Sequence, residues 1–150
     1  MCSAIAHIGL TVSDLDRSVV FYRDILGLSF VGEMKMEGPS TEKLFQRPGC
    51  RARVAYLQSG RSPLIELICF SGAAVRKQPA DLFTTSISEI CFETDSIDRD
   101  YEKMKRKGVS FLSEPQTFDS TRYGFGKSRA VYFRDPDGNI LELIQPIESD

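Results

Sequence analysis

Two glutamates lie inside apolar runs of the sequence, where a carboxylate needs a partner. Residues 64–68 read Leu-Ile-Glu-Leu-Ile around Glu66, and residues 140–144 read Ile-Leu-Glu-Leu-Ile around Glu142. A strand with one solvated face would alternate apolar and polar residues, and neither run does so. Because a charge in apolar surroundings is costly without a counter-charge, each glutamate is expected to meet a cation, either a basic side chain or a metal ion.

The two glutamates belong to an internal repeat. His7-Ile-Gly-Leu-Thr-Val-Ser-Asp-Leu-Asp-Arg aligns with Glu89-Ile-Cys-Phe-Glu-Thr-Asp-Ser-Ile-Asp-Arg at an offset of 82 (89 − 7), and Glu66 aligns with Glu142 at an offset of 76 (142 − 66). The apolar neighbours of His7 and Glu89 alternate onto the opposite strand face, so these two side chains should point to the concave side. If the two modules pair with pseudo-twofold symmetry, all four side chains converge.

One imidazole and three carboxylates form a donor set for a divalent cation. A carboxylate-rich site favours a harder or borderline ion, here Mg, Mn, Fe, Co, Ni or Zn, and the sequence does not choose among them. Simpler interpretations stay open: His7 as an ordinary strand histidine, Glu89 as a solvated residue at the start of its strand, and Glu66 or Glu142 as partners of a buried arginine.

Each module that positions these residues is predicted to contain a strand, a helix and three further strands. Module one spans residues 5–70, with strands at 5–12, 28–31, 53–57 and 64–70. Its helix begins at the cap Ser13-Asp14 and ends at Gly27, and the polar segment 33–50 is predicted to be irregular, with one short helix through Phe45. A linker at 71–86 follows.

Module two repeats this order over residues 87–146, with strands at 89–94 and 109–112 and a helix that ends at Gly108. A loop at 117–127 precedes a β-hairpin at 130–146, whose turn reads Asp-Pro-Asp-Gly-Asn. Candidate substrate contacts lie in and beside this loop: Arg122, Lys127 and Arg129 for a carboxylate or phosphate tail, and Tyr123 and Phe125 for an apolar group.

Length, charge and composition exclude several classes of protein. The 150 residues carry a net charge of −2, which gives no nucleic-acid footprint. No apolar run approaches the length of a membrane span and no signal pattern is present, so a cytoplasmic protein is the default expectation. The four scattered cysteines favour free thiols over a zinc finger, and a single histidine excludes any mechanism that needs a histidine pair within one chain.

The opening stretch 6–28 and the closing stretch 132–143, Tyr-Phe-Arg-Asp-Pro-Asp-Gly-Asn-Ile-Leu-Glu-Leu, resemble the two ends of the vicinal oxygen chelate superfamily. The resemblance extends over residues 5–146. It implies an α+β fold in which two paired βαβββ modules form a curved sheet around a metal cavity, usually in a dimer. It also implies a divalent metal ion held at four positions, namely His7, Glu66, Glu89 and Glu142.

Departures from the family pattern narrow the activity that the resemblance implies. Relatives usually have histidine where this chain has Glu89, and the extradiol dioxygenases and fosfomycin-modifying enzymes need two histidines. Glyoxalase I and methylmalonyl-CoA epimerase, with their glutamate-rich ligand sets, fit best. In glyoxalase I a Thr-His-Asn-like segment after the first-module glutamate helps to hold glutathione; here Glu66 is followed by Leu-Ile-Cys-Phe-Ser-Gly, which argues against glutathione.

The expected function is therefore that of a metal-dependent lyase or isomerase acting on a small substrate. A divalent ion that chelates two substrate oxygens acidifies the adjacent C–H group, and a carboxylate then moves the proton. Glu142 and Glu66 are the candidate bases. The alternative is a non-catalytic protein of the same fold that sequesters a drug or metabolite, and the third candidate is a dioxygenase. The residues leave open whether each cavity lies within one chain or between two subunits.

Overall fold

The first unit of the computed structural model covers Met1–Lys77 and contains a four-stranded mixed sheet. Across both units the structure describes residues 1–78 and 80–147. The strands are β1 (His7–Thr11), β2 (Ser29–Met36), β3 (Arg51–Gln58) and β4 (Leu64–Ser71), in the spatial order β1-β4-β3-β2. The helices are α1 (Leu15–Val20), which continues as a π-helical turn (Phe21–Ile25), and α2 (Pro39–Leu44).

The second unit, Gln78–Asp150, repeats this arrangement. Its strands are β5 (Ile90–Glu93), β6 (Gln116–Asp119), β7 (Lys127–Arg134) and β8 (Ile140–Ile147), in the order β5-β8-β7-β6, with α3 (Ile97–Arg106) between β5 and β6. In both units the first strand pairs in parallel with the last, and the remaining pairs are antiparallel. The predicted α+β class and the order βαβββ are thereby confirmed.

Local signals in the sequence explain the ends of several elements. Asp14 caps α1 by accepting a hydrogen bond from the backbone N–H of Arg17 at 3.0 Å. In the β7–β8 hairpin, the Asp135 carboxylate accepts the backbone N–H groups of Asp137 and Asn139 at 2.9 and 2.8 Å. Gly138 has a φ of +86°, a conformation that glycine adopts without strain. The predicted helix cap and hairpin are confirmed.

Two predicted boundaries are wrong. Strand β2 does not end at residue 31 but continues to Met36, because it pairs with β3 as far as Met36 and Ala52. In the second unit, residues 109–112 do not form the predicted strand and contribute only a single bridge from Phe111 to Phe133. The second strand of this unit along the chain is instead β6, which falls largely within the predicted loop at 117–127. Phe111 instead packs between Tyr101 and Phe133, at ring-centroid distances of 4.6 and 5.6 Å.

Helices α1 and α3 each cover one face of their own sheet, and the buried residues there are equivalent in the two repeats. Leu15 and Leu57 are buried in the first unit, and Ile97 and Phe133 are buried at the matching positions of the second. Because side chains alternate along a strand, the opposite face of each sheet carries the residues one position away, including Glu66 and Glu142. None of the helices in residues 1–78 and 80–147 has the length and apolarity to cross a membrane.

Candidate active site

The glutamate of the first unit lies beside two possible partners on its own sheet face. The Glu66 Oε2 atom is 3.6 Å from His7 Nε2, and it accepts a hydrogen bond of 2.7 Å from the Tyr56 hydroxyl. This hydrogen bond, with burial, raises the pKa of Tyr56 above its usual range. The Glu66 side chain is 15% exposed and that of His7 is 46% exposed, so the imidazole is open to a ligand while the carboxylate is held in place.

A small residue on the neighbouring strand makes room for this carboxylate. The parallel register of β1 and β4 sets Gly9 opposite Glu66. A Cβ atom added to Gly9 would lie 3.4 Å from Glu66 Oε1, at the limit of ordinary contact. With Oε2 engaged by Tyr56, the Oε1 atom is the one left for another partner.

In the second unit the same register sets Cys91 opposite Glu142. Burial raises the pKa of Glu142, the nearby charge of Glu89 raises it further, and a hydrogen bond donated by the Cys91 thiol opposes both effects. Burial and the Glu142 carboxylate in turn raise the pKa of Cys91 to about 12. Burial, followed by the charge of Glu142, also raises the pKa of Tyr132, the counterpart of Tyr56.

Neither glutamate meets the buried arginine that was one interpretation of the sequence. Within residues 1–78 and 80–147, His7 is the only basic side chain at ion-pair distance from Glu66, and no Lys or Arg pairs with Glu142. The pKa of Glu142, which burial raises, agrees with this, because a neighbouring cation would lower it. The carboxylate therefore retains the capacity to bind a cation.

The four predicted metal ligands are brought together as two pairs. His7 and Glu66 lie together in the first unit, and Glu89 and Glu142 interact electrostatically in the second. Among the described residues, no group of three or more His, Cys, Asp and Glu side chains is arranged to hold a metal ion. The donor types do fit a divalent cation, since each pair has an unneutralised carboxylate and a second donor.

A pocket of about 180 Å³ lies against Glu142 within the second unit. It is lined by Ser113, Gln116, Phe118, Ala130, Val131, Tyr132 and Glu142. Its walls come from β6, β7, β8 and the segment before β6, and they are mostly apolar. A small molecule in this pocket would contact the carboxylate directly, which is a position from which a base acts.

The predicted substrate-binding residues lie elsewhere in the second unit. Arg129 pairs with Asp98 on α3, with Nη2 to Oδ1 at 2.9 Å, and so occupies the helix-covered face of the sheet. Lys127 is 3.7 Å from Asp119, and five residues of strand, about 17 Å, separate it from Tyr132 beside Glu142. The structure therefore does not bring these two residues to the glutamate.

The remaining loop residues are exposed. Arg122 contacts the hydroxyl of Tyr123 and lies over its ring, with the guanidinium carbon 4.3 Å from the ring centroid. The residues Tyr123 and Phe125 are 62% and 84% exposed. These side chains are open to a partner, but within the second unit they lie at the β6–β7 turn, at the opposite end of β7 from Tyr132.

Sequence reasoning did not assign a site role to Tyr56, Gly9 or Cys91. The repeat contained the signal for all three. The offset of 76 aligns Tyr56 with Tyr132, and the offset of 82 aligns Gly9 with Cys91. Pairing between the first and last strands of each module would have placed these residues next to the glutamates.

Comparisons with known proteins agree with the fold. The sequence matches the family model of the Glyoxalase/Bleomycin resistance protein/Dioxygenase superfamily over residues 4–143. A probable lactoylglutathione lyase from Synechocystis sp. is 30% identical over 93% of this chain and 92% of its own length. A 2-epi-5-epi-valiolone epimerase from Actinomyces sp. is 28% identical over 94% of this chain and 78% of its own. In fold, the chain is similar to a glyoxalase family protein from Bacillus cereus, with a TM-score of 0.84 at 18% identity, over 99% of this chain and 97% of that one.

Proposed function

The chain belongs to the Glyoxalase/Bleomycin resistance protein/Dioxygenase superfamily, and from this premise we propose that it is a metal-dependent lyase or isomerase. It would move a proton next to a carbonyl group of a small, α-oxygenated substrate. One observation carries the proposal: two equivalent glutamates, Glu66 and Glu142, each lie beside another potential ligand and lack a Lys or Arg partner among the described residues.

We assign the metal-binding role to His7, Glu66, Glu89 and Glu142. The ion is divalent, one of Mg, Mn, Fe, Co, Ni or Zn, and when bound it would polarise two substrate oxygens and so acidify the adjacent C–H group. The support for this set is the donor chemistry of each pair and the matching positions in the repeat. The assignment of Glu89 is the departure from the usual histidine of the superfamily.

Side chains of the chain itself would carry out the proton transfer. Glu142, which lies at the edge of an apolar pocket, accepts the proton from the substrate carbon. Its raised pKa makes it a stronger base than an ordinary carboxylate once it is ionised. Return of the proton to the opposite face of the same carbon gives epimerisation, and return to the neighbouring carbon gives isomerisation. Glu66 is the second candidate base, and its orientation is fixed by Tyr56.

The relatives support both outcomes without deciding between them. One is named as a probable lactoylglutathione lyase and another as an epimerase of a small cyclic compound. Glutathione is disfavoured for this chain because Glu66 is followed by Leu-Ile-Cys-Phe-Ser-Gly and not by the Thr-His-Asn-like segment of glyoxalase I. We expect a homodimer and a cytoplasmic location, both of which follow from the family resemblance and the composition.

A non-catalytic binding protein is the second candidate. It is favoured by the finding that no three metal-ligand side chains lie together within the described residues. In that case the pockets would hold a small molecule without converting it. A dioxygenase is the weaker third candidate, because His7 is the only histidine in the sequence and the iron site of such enzymes uses two.

The test combines metal analysis with proton exchange. The purified protein is stripped with chelator, reloaded with each of the six ions, and incubated in D₂O with dihydroxyacetone and related α-hydroxy carbonyl compounds, and the loss of the α-proton is followed by NMR.

Removal of a general base costs about 10²- to 10⁴-fold in rate, and we expect Glu142→Gln to lose exchange on this scale while remaining folded. Glu102→Gln, on the outer face of α3, is the matched control. A protein that takes up none of the ions and exchanges no proton would support the binding-protein alternative.

A further inference from the structure

A second and larger pocket lies on the first unit, on the same sheet face as His7 and Glu66. Its volume is about 390 Å³. Thr11 and Phe70, which line it, lie four residues further along β1 and β4 than His7 and Glu66 respectively. Residues four apart on a strand share a face and are separated by about 13 Å. The pocket therefore continues the face that carries the proposed metal ligands.

The walls of this pocket are apolar and held in place. Phe45, from the end of α2, packs edge-to-face against Phe70 with a ring-centroid distance of 5.1 Å, and both rings rest on a cluster of three buried residues, Ala52, Val54 and Ile68. The remaining lining residues come from two chain segments: Arg47 and Cys50 on one side, and Ala73, Ala74, Val75 and Arg76 on the other.

These two segments are joined at a close backbone contact. Gly72 has a φ of +75°, and a Cβ atom there would lie 2.3 Å from the carbonyl oxygen of Gly49. Only glycine fits at this point, so the segment after β4 is held against the segment before β3. The contact brings Arg76 and Arg47 to the rim of the same pocket.

The charge of the pocket is entirely positive. Its only charged lining residues are Arg47 and Arg76, and neither forms an ion pair within the part of the chain that the structure describes. Two guanidinium groups beside an aromatic wall match a ligand that carries a carboxylate or phosphate on an apolar body. A zwitterionic peptide such as glutathione would place polar groups against Phe45 and Phe70, where they would lack hydrogen-bond partners.

We propose that this pocket binds the part of the substrate remote from the reacting carbon, and that this part is an apolar group that ends in a carboxylate or a phosphate. The inference rests on the proposed function for the role of the ligand as a substrate, but the pocket itself is built without any metal ligand. Its occupation is therefore measurable in the absence of metal.

Calorimetric titration of the full-length, chelator-treated protein tests the inference with three probes that share one apolar body: 4-phenylbutyrate, 4-phenylbutyl phosphate and the neutral 4-phenyl-1-butanol. We expect at least one anion to bind about tenfold more tightly than the alcohol, because the guanidinium groups form charge-assisted hydrogen bonds only with the anions. The stronger of the two anions identifies the terminal group. Equal affinity for the three probes would overturn the assignment of an anionic ligand.

Variants locate the binding. Arg47→Gln and Arg76→Gln should each weaken the preferred anion about tenfold and leave the alcohol unchanged. Arg61→Gln, which removes an exposed charge from the turn between β3 and β4, is the matched control and should change neither. If the two rim variants bind as tightly as the control, the pocket is not the site. Phe45→Ala should weaken all three probes, with thermal unfolding as the check that the variant is folded.

The result separates this inference from the proposed function. Metal uptake and proton exchange depend on His7, Glu66, Glu89 and Glu142, none of which lines the pocket. If the anions fail to bind while metal-dependent exchange persists, the inference is wrong and the proposed function stands. If the anions bind but no metal is taken up, the pocket belongs to a binding protein.

Discussion

Glu66 in the first unit accepts a hydrogen bond from Tyr56 and lies near His7, whereas its counterpart Glu142 in the second unit accepts a thiol hydrogen bond from Cys91 and lies near the charge of Glu89. The strand register is the same in both cases. The two units therefore share one backbone arrangement around the glutamate, and the different neighbouring residues make the two glutamates chemically different. The held carboxylate is suited to a ligand, and the carboxylate with the raised pKa is suited to a base.

The two units also differ at the other end of their sheets. In the first unit, α2 and its Phe45 close a pocket over β3 and β4. In the second unit, the equivalent segment between β6 and β7 is a short turn that leaves Tyr123 and Phe125 exposed. The longer connection between the second and third strands thus supplies Phe45 and Arg47 to the larger pocket of the first unit, of about 390 Å³.

The largest predicted effect compares the cores of the two units. Leu57 and Phe133 are equivalent in the repeat and fully buried. We expect Phe133→Ala to lower the free energy of unfolding by about 4 kcal/mol and Leu57→Ala by about 3 kcal/mol. The phenylalanine should cost more because its ring also packs against Phe111, which packs in turn against Tyr101.

Amide hydrogen exchange measures where each of these losses falls. Phe133→Ala should reduce protection mainly in β7 and β8, and Leu57→Ala mainly in β3 and β4, since each side chain is part of its own unit. Equal loss of protection in all eight strands from either variant would contradict the division of the chain into two units with separate cores.

The repeat explains why much of this architecture is predictable from the sequence. Its two offsets predicted the order βαβββ, the equivalent sheet faces on which Glu66 and Glu142 lie in their own units, and the neighbouring position of His7. The strand bounds were harder, because the polar residues of β2 and β6 pair at sheet edges, where alternation is weak. The ion pair between Arg129 and Asp98 was also not predictable from a local pattern, because the two residues lie on different elements. The same pair occurs at the matching positions of the first unit, between Arg53 and Asp16.

The second prediction tests the difference between the two tyrosines. Tyr56 donates a hydrogen bond to Glu66, and no such bond joins Tyr132 to Glu142 in the described residues. Loss of a group that orients a metal ligand typically costs about 10- to 100-fold in metal affinity. Tyr56→Phe should therefore weaken metal binding by about tenfold, and Tyr132→Phe, the matched control, should change it little. Competition with a chromogenic chelator measures both affinities, and equal effects would remove the distinction between the two carboxylates.

The smallest predicted effect concerns the ion pairs that join each helix to its sheet. Arg53 binds both Asp16 and Glu33, at 2.9 and 2.7 Å, whereas Arg129 pairs with Asp98 alone among the described residues. The hydrogen bond from each arginine lowers the pKa of its aspartate below the ordinary value of 3.8. At neutral pH we expect Asp98→Asn to lower the melting temperature more than Asp16→Asn, because Arg53 keeps a carboxylate partner and Arg129 does not.

The pH dependence of this difference has a defined sign. A carboxyl whose pKa is lower in the folded state stabilises the protein above the unfolded pKa, and this stabilisation is lost as the pH falls through the folded pKa. The wild type should therefore exceed both variants in melting temperature at neutral pH, and the gap should close below pH 3.8. Because the pairs are exposed, added salt should narrow the gap as well. A gap that persists at low pH would show that the aspartates act through packing, and the ion pairs would then not account for a difference between the two units.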